Sequence, residues 1–463
     1  MKTTHGLLLA ALLVLSTGCQ SQYRSFNAAM VSDLEAGRYA EAAERASEKA
    51  SSKDALAASS PGEEDVLYLL EAGRTNQLAD AASSTIDYLG HAQTLMRPYL
   101  DTEAEARVTE AIVTTAINQA MSDYLGTPSD RIMCSTLYGL ELMGIGRFDD
   151  GRVALNLAAD WQQDLKTRYE KEIANADEKL AKASSDKGIS AESQSTANAY
   201  LEKYFSNLDA YEGYANFANP FLAHVQGVYY LTAGRGIRNP NQTFRTAAAL
   251  SPDAAAMIAG DLEMIGAGTP AGGATWVYFM TGLAPWFKEL RLDIPIPWGD
   301  VNYVSGAFPI MQFPENFDRN MWVEGGGRRV ETVALADLAR IRASEFKAKL
   351  PQVILQELLS STAKAAATYG AKEAGGSWGQ IAGIIYQAAT TSADTRCWRS
   401  LPNLIALARI PTPPDGRLRF STDREIGTVD VSPGSDTIVM VTLPSRSTPK
   451  ASIQVIPLSP TSN

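Results

Sequence analysis

Cysteine and histidine are nearly missing from this chain: three of each occur in 463 residues. Three cysteines are too few for a disulfide framework, and Cys19 closes a signal-like N-terminal segment. Cys134 and Cys397 remain, far apart in sequence, and whether they pair stays open. His5 falls in the same N-terminal segment, so the body keeps only His91 and His224. Two scattered histidines argue against a zinc site of ordinary ligand spacing. Basic charge is also short, with 41 Lys and Arg against 52 Asp and Glu and a net charge of −11. An acidic body without a polybasic run argues against nucleic acid and anionic lipid headgroups as partners. No apolar run reaches the about 20 residues that a membrane-spanning helix needs. The Gly-rich loop Gly266–Gly273 lacks the Gly-Lys-Ser/Thr ending that cradles phosphate, so it reads as a hinge between domains. No catalytic constellation stands out, and no metal or cofactor is expected.

What is present begins with Lys2, the apolar stretch Leu7 to Leu15 and the small residues Ser16-Thr17-Gly18 before Cys19. That order is a secretory signal. A cysteine at the cut resembles a bacterial lipoprotein signal, residues 1–18, in which the Cys19 thiol is acylated and becomes the mature N-terminus. Acyl chains contribute ~0.8 kcal/mol per buried CH₂, so several on one cysteine hold firmly. Gln20 stands where an aspartate favours inner-membrane retention in such lipoproteins, which points to the periplasmic face of the outer membrane.

Residues 19–265 read as helical. Leu34-Glu35-Ala36-Gly37-Arg38 recurs 36 residues on as Leu70-Glu71-Ala72-Gly73-Arg74, and Gly146-Arg147-Phe148 is a third turn of the kind. Each glycine suits the left-handed end of a helix. Tyr39 with Ala42 and Phe148 with Gly151 add an aromatic and a small residue one turn apart, like the Gly-x-Tyr-x-x-Ala turn of tetratricopeptide repeats. A further helix pair follows Asn219-Pro220. The band Tyr204, Phe205, Tyr211, Tyr214, Phe217, Phe221, Tyr229 and Tyr230 reads as core between helices.

Residues 274–410 read as a mixed β/α domain. Trp276 to Phe279 suggests a buried strand ended by Gly282-Leu283-Ala284-Pro285, and Leu290 to Ile296 alternates as a half-buried strand should. Val301 to Met311 and Trp322 to Val333 suggest more strands, and Leu335 to Tyr369 a long helix. Gly375, Gly379 and Gly383 lie on one face of a second helix. Leu404 to Ile410 is a strand, and residues 411–463 hold short segments spaced as in a small β-sandwich or meander. The fold class is α+β, with tetratricopeptide-like helices first.

The string Ala393-Asp394-Thr395-Arg396, Trp398 and Leu401-Pro402, with Trp276, Gly282 and Pro285 upstream, resembles the signature of an uncharacterised family of bacterial outer-membrane lipoproteins with tetratricopeptide-like N-termini. The resemblance implies no catalytic residue. It marks Trp276, Gly282, Pro285, Asp394, Arg396, Trp398 and Pro402 as structural positions. It also implies an envelope partner resembling a penicillin-binding-protein activator or a curli-type secretion pore.

The expected function is a non-enzymatic scaffold or adaptor for an envelope assembly. One alternative is an envelope hydrolase acting on peptidoglycan through a carboxylate pair drawn from Glu315, Asp318 and Glu324. Another is a subunit of a secretion or surface-fibre assembly. Cys19→Ala is expected to leave a soluble or unprocessed form, and labelled palmitate still entering that variant refutes the anchor.

Overall fold

The structure, a computed structural model, describes residues 23–51, 66–97, 124–186, 191–211, 218–233, 239–267, 269, 272–298, 301–357, 359–361 and 392–458. The expected signal with Cys19, the helix expected at Gly375, Gly379 and Gly383, and the aromatics Tyr214 and Phe217 lie outside the described residues.

Six helices form three hairpins: α1 (23–35) with α2 (Tyr39–Ala50), α3 (Val66–Leu78) with α4 (Ala82–Met96), and α5 (Pro128–Gly144) with α6 (Phe148–Asp186). Their turns share one hydrogen-bond pattern. Arg38 N donates to Asp33 O, Ala81 N to Asn76 O and Arg147 N to Leu142 O. Gly37, Asp80 and Gly146 occupy the left-handed position, with φ of 72°, 60° and 82°. This is a Schellman-type end, which glycine takes without strain and aspartate tolerates.

Two of the three expected turns are therefore turns, and the third is not. Gly73 lies inside α3, where a Cβ would stand 2.4 Å from Leu89 Cδ2. It lets α3 and α4 touch rather than ending a helix. The recurrence at Leu70–Arg74 does not mark a turn, and the position equivalent to Gly37 is Asp80.

The helices after Asn219 start as the sequence suggests. Asn219 caps α8 (Pro220–Thr232) by accepting Phe221 N at 3.0 Å, and Asn239 caps α9 (Pro240–Leu250) in the same way. Proline at the first helical position needs no hydrogen bond there. Helix α7 (Ala191–Phe205) precedes this pair and α10 (Ala255–Ala267) follows it.

The strands are β1 (Ala274–Thr281), β2 (Trp286–Trp298), β3 (Val301–Gln312), β4 (Trp322–Gly325), β5 (Arg328–Glu331), β6 (Val333–Asp337), β7 (Leu404–Pro411), β8 (Arg417–Ser421), β9 (Glu425–Asp430), β10 (Thr437–Leu443) and β11 (Ser452–Pro457), and all but β6 fall close to their expected places. The central sheet runs β11-β10-β1-β7-β6, with β1 parallel to β10 and antiparallel to β7. Side chains alternate across a strand. Trp276, Tyr278 and Met280 of β1 therefore enter the core under the helices, while Val277 and Phe279 meet the second sheet, β5-β4-β8-β9. Helices, sheet and sheet make three layers, which is why β1 is buried along its whole length.

The long hairpin β2–β3 forms a third core with α7 and α11 (338–357), centred on Leu201, Ile294, Phe308 and Phe346. Of the aromatic band, Phe205 belongs to this core, whereas Phe221, Tyr229 and Tyr230 lie under the helices. The helix expected from Leu335 starts at 338 because Leu335 to Asp337 complete β6, and Pro351 sits within it.

The structure is α+β with the helices mostly N-terminal, but the two parts share one core. A single apolar cluster runs from Tyr23 through Trp276 and Trp398 to Leu458. The strands after Pro411 are not a separate unit either, since β10 pairs with β1 and β8 with β4. Fragment 23–267 alone would expose that shared face and leave buried polar groups without partners. It is expected to show helical circular dichroism without a cooperative melt and to bind a hydrophobic dye. A sharp two-state melt matching the full chain contradicts the shared core.

Candidate functional site

The segment after residue 392 is extended and pinned from several sides. Trp398 is fully buried, and its Nε1 donates to Ser400 Oγ at 2.9 Å. The Trp398 carbonyl accepts Arg342 Nη1 at 3.1 Å, and Arg342 also pairs with Asp130. Asp130 belongs to a capping box with Thr127 at the start of α5.

Glu71, with no exposed surface, reaches the same segment from α3. Its carboxylate accepts Arg399 N at 2.5 Å, Ser400 N at 3.1 Å and Ser400 Oγ at 2.5 Å. Burial pushes the Glu71 carboxyl up to about 7, opposed by these three donors. Tyr23 completes the tie: its hydroxyl donates to Cys397 O at 2.8 Å and accepts from Cys397 N at 3.1 Å.

The signature residues divide between two places. Gly282 and Pro285 come together with Trp398 and Pro402, because Ala284 N donates to Leu401 O at 2.7 Å and Asn403 N to Thr281 O at 3.0 Å. Asp394 and Arg396 form a bidentate pair at 2.9 Å in the same segment. Trp276 lies elsewhere, donating from Nε1 to Asp261 Oδ1 at 2.9 Å. Asp261 also accepts Arg409 Nη1 at 2.6 Å and His224 Nε2 at 3.0 Å, and His224 Nδ1 meets Tyr278 Oη at 2.7 Å. Burial works against this carboxylate, but the bonds from His224, Arg409 and Trp276 hold it below its ordinary range.

Cys134 and Cys397 do not pair; both are free and buried, the first against Leu89 O and the second against Pro285 O. Burial pushes the Cys397 thiol up to about 11, away from a reactive thiolate. Two carboxylates of the hydrolase alternative are engaged with separate arginines, Asp318 with Arg446 at 2.7 Å and Glu324 with Arg329 at 3.1 Å, and Glu315 lies on a cleft wall.

Two clefts flank the signature segment. The first, about 210 Å³, lies between α5, α11 and the β2–β3 hairpin and is lined by Tyr124, Arg342, Glu345, Asp394, Arg396 and Cys397 among others. Three of its charged groups are answered within the wall: Arg396 by Asp394, Arg342 by Asp130, and Glu345 by Ser129, whose N and Oγ donate at 2.8 and 2.7 Å. The second, about 470 Å³, opens between α1 and the start of β2. It is lined by Tyr23, Asn27, Trp286, Thr395 and Arg399 among others.

Sequence reasoning missed Glu71, Tyr23, Asn27, Arg399 and Asp261. A signal existed for His224, a single histidine inside the apolar run Phe221 to Val228, the usual setting of a hydrogen-bonded core residue.

Glu71 generates a pH prediction. Its folded-state pKa lies above the ordinary 4.5, so the stability it contributes is complete below about 4.5 and lost as pH rises through about 7. Glu71→Gln removes that titration and sets an amide N–H against a backbone N–H of Arg399 or Ser400, a loss of ~1–3 kcal/mol. In urea melts its deficit against the parent should be largest near pH 4.5 and shrink toward pH 8. A deficit that grows with pH reverses the assignment.

No family model, curated protein or solved structure matches the chain, so what these residues do is argued from their geometry and chemistry alone.

Proposed function

We propose that this chain is an outer-membrane lipoprotein, held on the periplasmic face through acylated Cys19, that serves as a non-enzymatic scaffold or adaptor for an envelope assembly. The observation that carries the reading is the burial of the groups suited to acid–base chemistry. His224, Asp261 and Tyr278 stand in the order of a catalytic relay, yet all three have no exposed surface, and the two ring nitrogens of His224 are taken by the other two. They join α8 and α10 to β1 instead of facing a substrate. Among the described residues no helix is long and apolar enough to cross a membrane, which fits attachment by lipid. Tyr23 is already buried in the body, and four residues of chain reach about 14 Å at most. The folded body therefore lies against the bilayer.

The three helical hairpins, tetratricopeptide-like in this reading, supply the partner surface. Ile145 at the third turn and Val153 in the helix after it, 49 % and 53 % exposed, are the large apolar side chains that the hairpins leave open to solvent among the described residues. The partner class suggested by the signature resemblance is another envelope lipoprotein, of the penicillin-binding-protein-activator or curli-pore kind. Crosslinking of the full chain in intact envelopes, purification and mass spectrometry test this. One dominant envelope protein is expected with the parent and is lost with Ile145→Asp/Val153→Asp, while the melting temperature holds. Capture unaffected by the double substitution moves the contact off the third hairpin, and release of a peptidoglycan fragment by the purified chain replaces the scaffold reading with the hydrolase one.

A further inference from the structure

The second cleft contains two buried polar atoms with unmade bonds, of opposite kind. Arg399 is 6 % exposed, and its Nη1 has no hydrogen-bond partner among the described residues. Its guanidinium lies over the Trp286 ring, 4.7 Å from the centroid, so the side chain is held in place without that bond. Asn27 Oδ1 is likewise buried and without a partner.

The orientation of the Asn27 amide follows from its neighbour. Tyr23 has one hydroxyl proton, and the Cys397 carbonyl, which can only accept, takes it at 2.8 Å. The Tyr23 oxygen therefore accepts from Asn27, so Nδ2 faces Tyr23 at 3.4 Å and Oδ1 is the atom left over. An unmet donor on a buried cation and an unmet buried acceptor each carry a desolvation penalty that a ligand would relieve.

We propose that this cleft binds an amino-carboxylate, either a free amino acid or the carboxyl end of a short peptide. Its carboxylate takes the N–H of Arg399 and its own N–H bonds Asn27 Oδ1. Glu35 and Glu315, both exposed, line the same cleft, and the charge of Arg24 on its wall is met by Glu289 at 2.8 Å. They disfavour a phosphate dianion and favour a ligand whose nitrogen carries positive charge. Half-buried Trp286 and the apolar walls at Leu283 and Pro314 receive the rest of the molecule. A volume of about 470 Å³ suits a ligand of that size. The site stands whether or not Cys19 is acylated and is separate from the third hairpin.

Calorimetry and melting curves of the full chain with each standard amino acid, trialanine, trialanine amide and inorganic phosphate test the assignment. Saturable binding of at least one free carboxylate is expected, with none for the amide. Arg399→Met, which keeps the packing on Trp286, should weaken binding about tenfold or more. Asn27→Leu should weaken it as well while melting like the parent, and it carries the test if Arg399→Met fails to fold. Binding of trialanine but no free amino acid assigns the cleft to peptide ends, and the reverse assigns it to the free compounds. No binding across the carboxylates, equal binding of the amide, or phosphate as the sole ligand overturns the proposal.

Discussion

Glu71 accepts the backbone N–H groups of Arg399 and Ser400 at a point where no water can replace them, since its side chain has no exposed surface. A buried carboxylate is tolerated only when its oxygens are answered, and here both are, one by Arg399 N and the other by Ser400 N and Oγ. The geometry admits one placement of α3 over the segment that carries Trp398. Tyr23 imposes the same condition on α1 by giving and accepting a hydrogen bond at Cys397. Two helices from the first hairpins are thus registered on one strand-like segment more than 300 residues later. The position of the helical layer follows from that registration.

Other polar groups between the layers work in the same way. Arg74, inside α3 and nearly unexposed, donates to Thr442 Oγ1 of β10 at 3.1 Å and to Gln77 at 2.5 Å. Gln77 in turn donates to Glu141 of α5 at 3.0 Å, and Gln454 of β11 donates to the same carboxylate at 2.6 Å. Asp261 joins α10 to β1 and β7 through Trp276 and Arg409. Apolar contacts alone allow helices to slide over a sheet, because cores of similar volume and pattern accept alternative packings. A directional bond at each crossing removes those alternatives. This is the physical reason that the helical part and the sheets form one core.

The strands were legible because their signal is local. Alternation in Leu290 to Ile296 and the continuous apolar run of Trp276 to Phe279 state burial on one face or two, and each strand lies close to where that pattern puts it. The helical hairpins were legible where glycine marks the turn, at Gly37 and Gly146, and illegible at Asp80, where aspartate takes the left-handed conformation instead. Gly73 misled for the opposite reason, since a glycine that permits close helix packing and one that ends a helix look alike in sequence. The ties were invisible. Val66 to Leu78 is buried almost all round, with Glu71, Arg74, Thr75, Asn76 and Gln77 inside, and no periodicity separates a polar residue facing water from one facing a distant backbone.

The two clefts differ through the same bookkeeping of donors and acceptors. The extended segment sends Asp394 and Arg396 to one side and Thr395 and Arg399 to the other, so it is a shared wall. On the first side every charge named has its answer in the protein, and a polar ligand would have to break Arg396 from Asp394 or Arg342 from Asp130 before gaining anything. On the second side Arg399 and Asn27 each hold a bond in reserve while Trp286, Tyr23 and Glu71 keep the wall rigid. A site already held in its binding conformation loses little freedom when a ligand enters. The bonds that fix the helices on the sheet thereby also prepare the second cleft, and the capacity to bind arises from the same constraint as the fold.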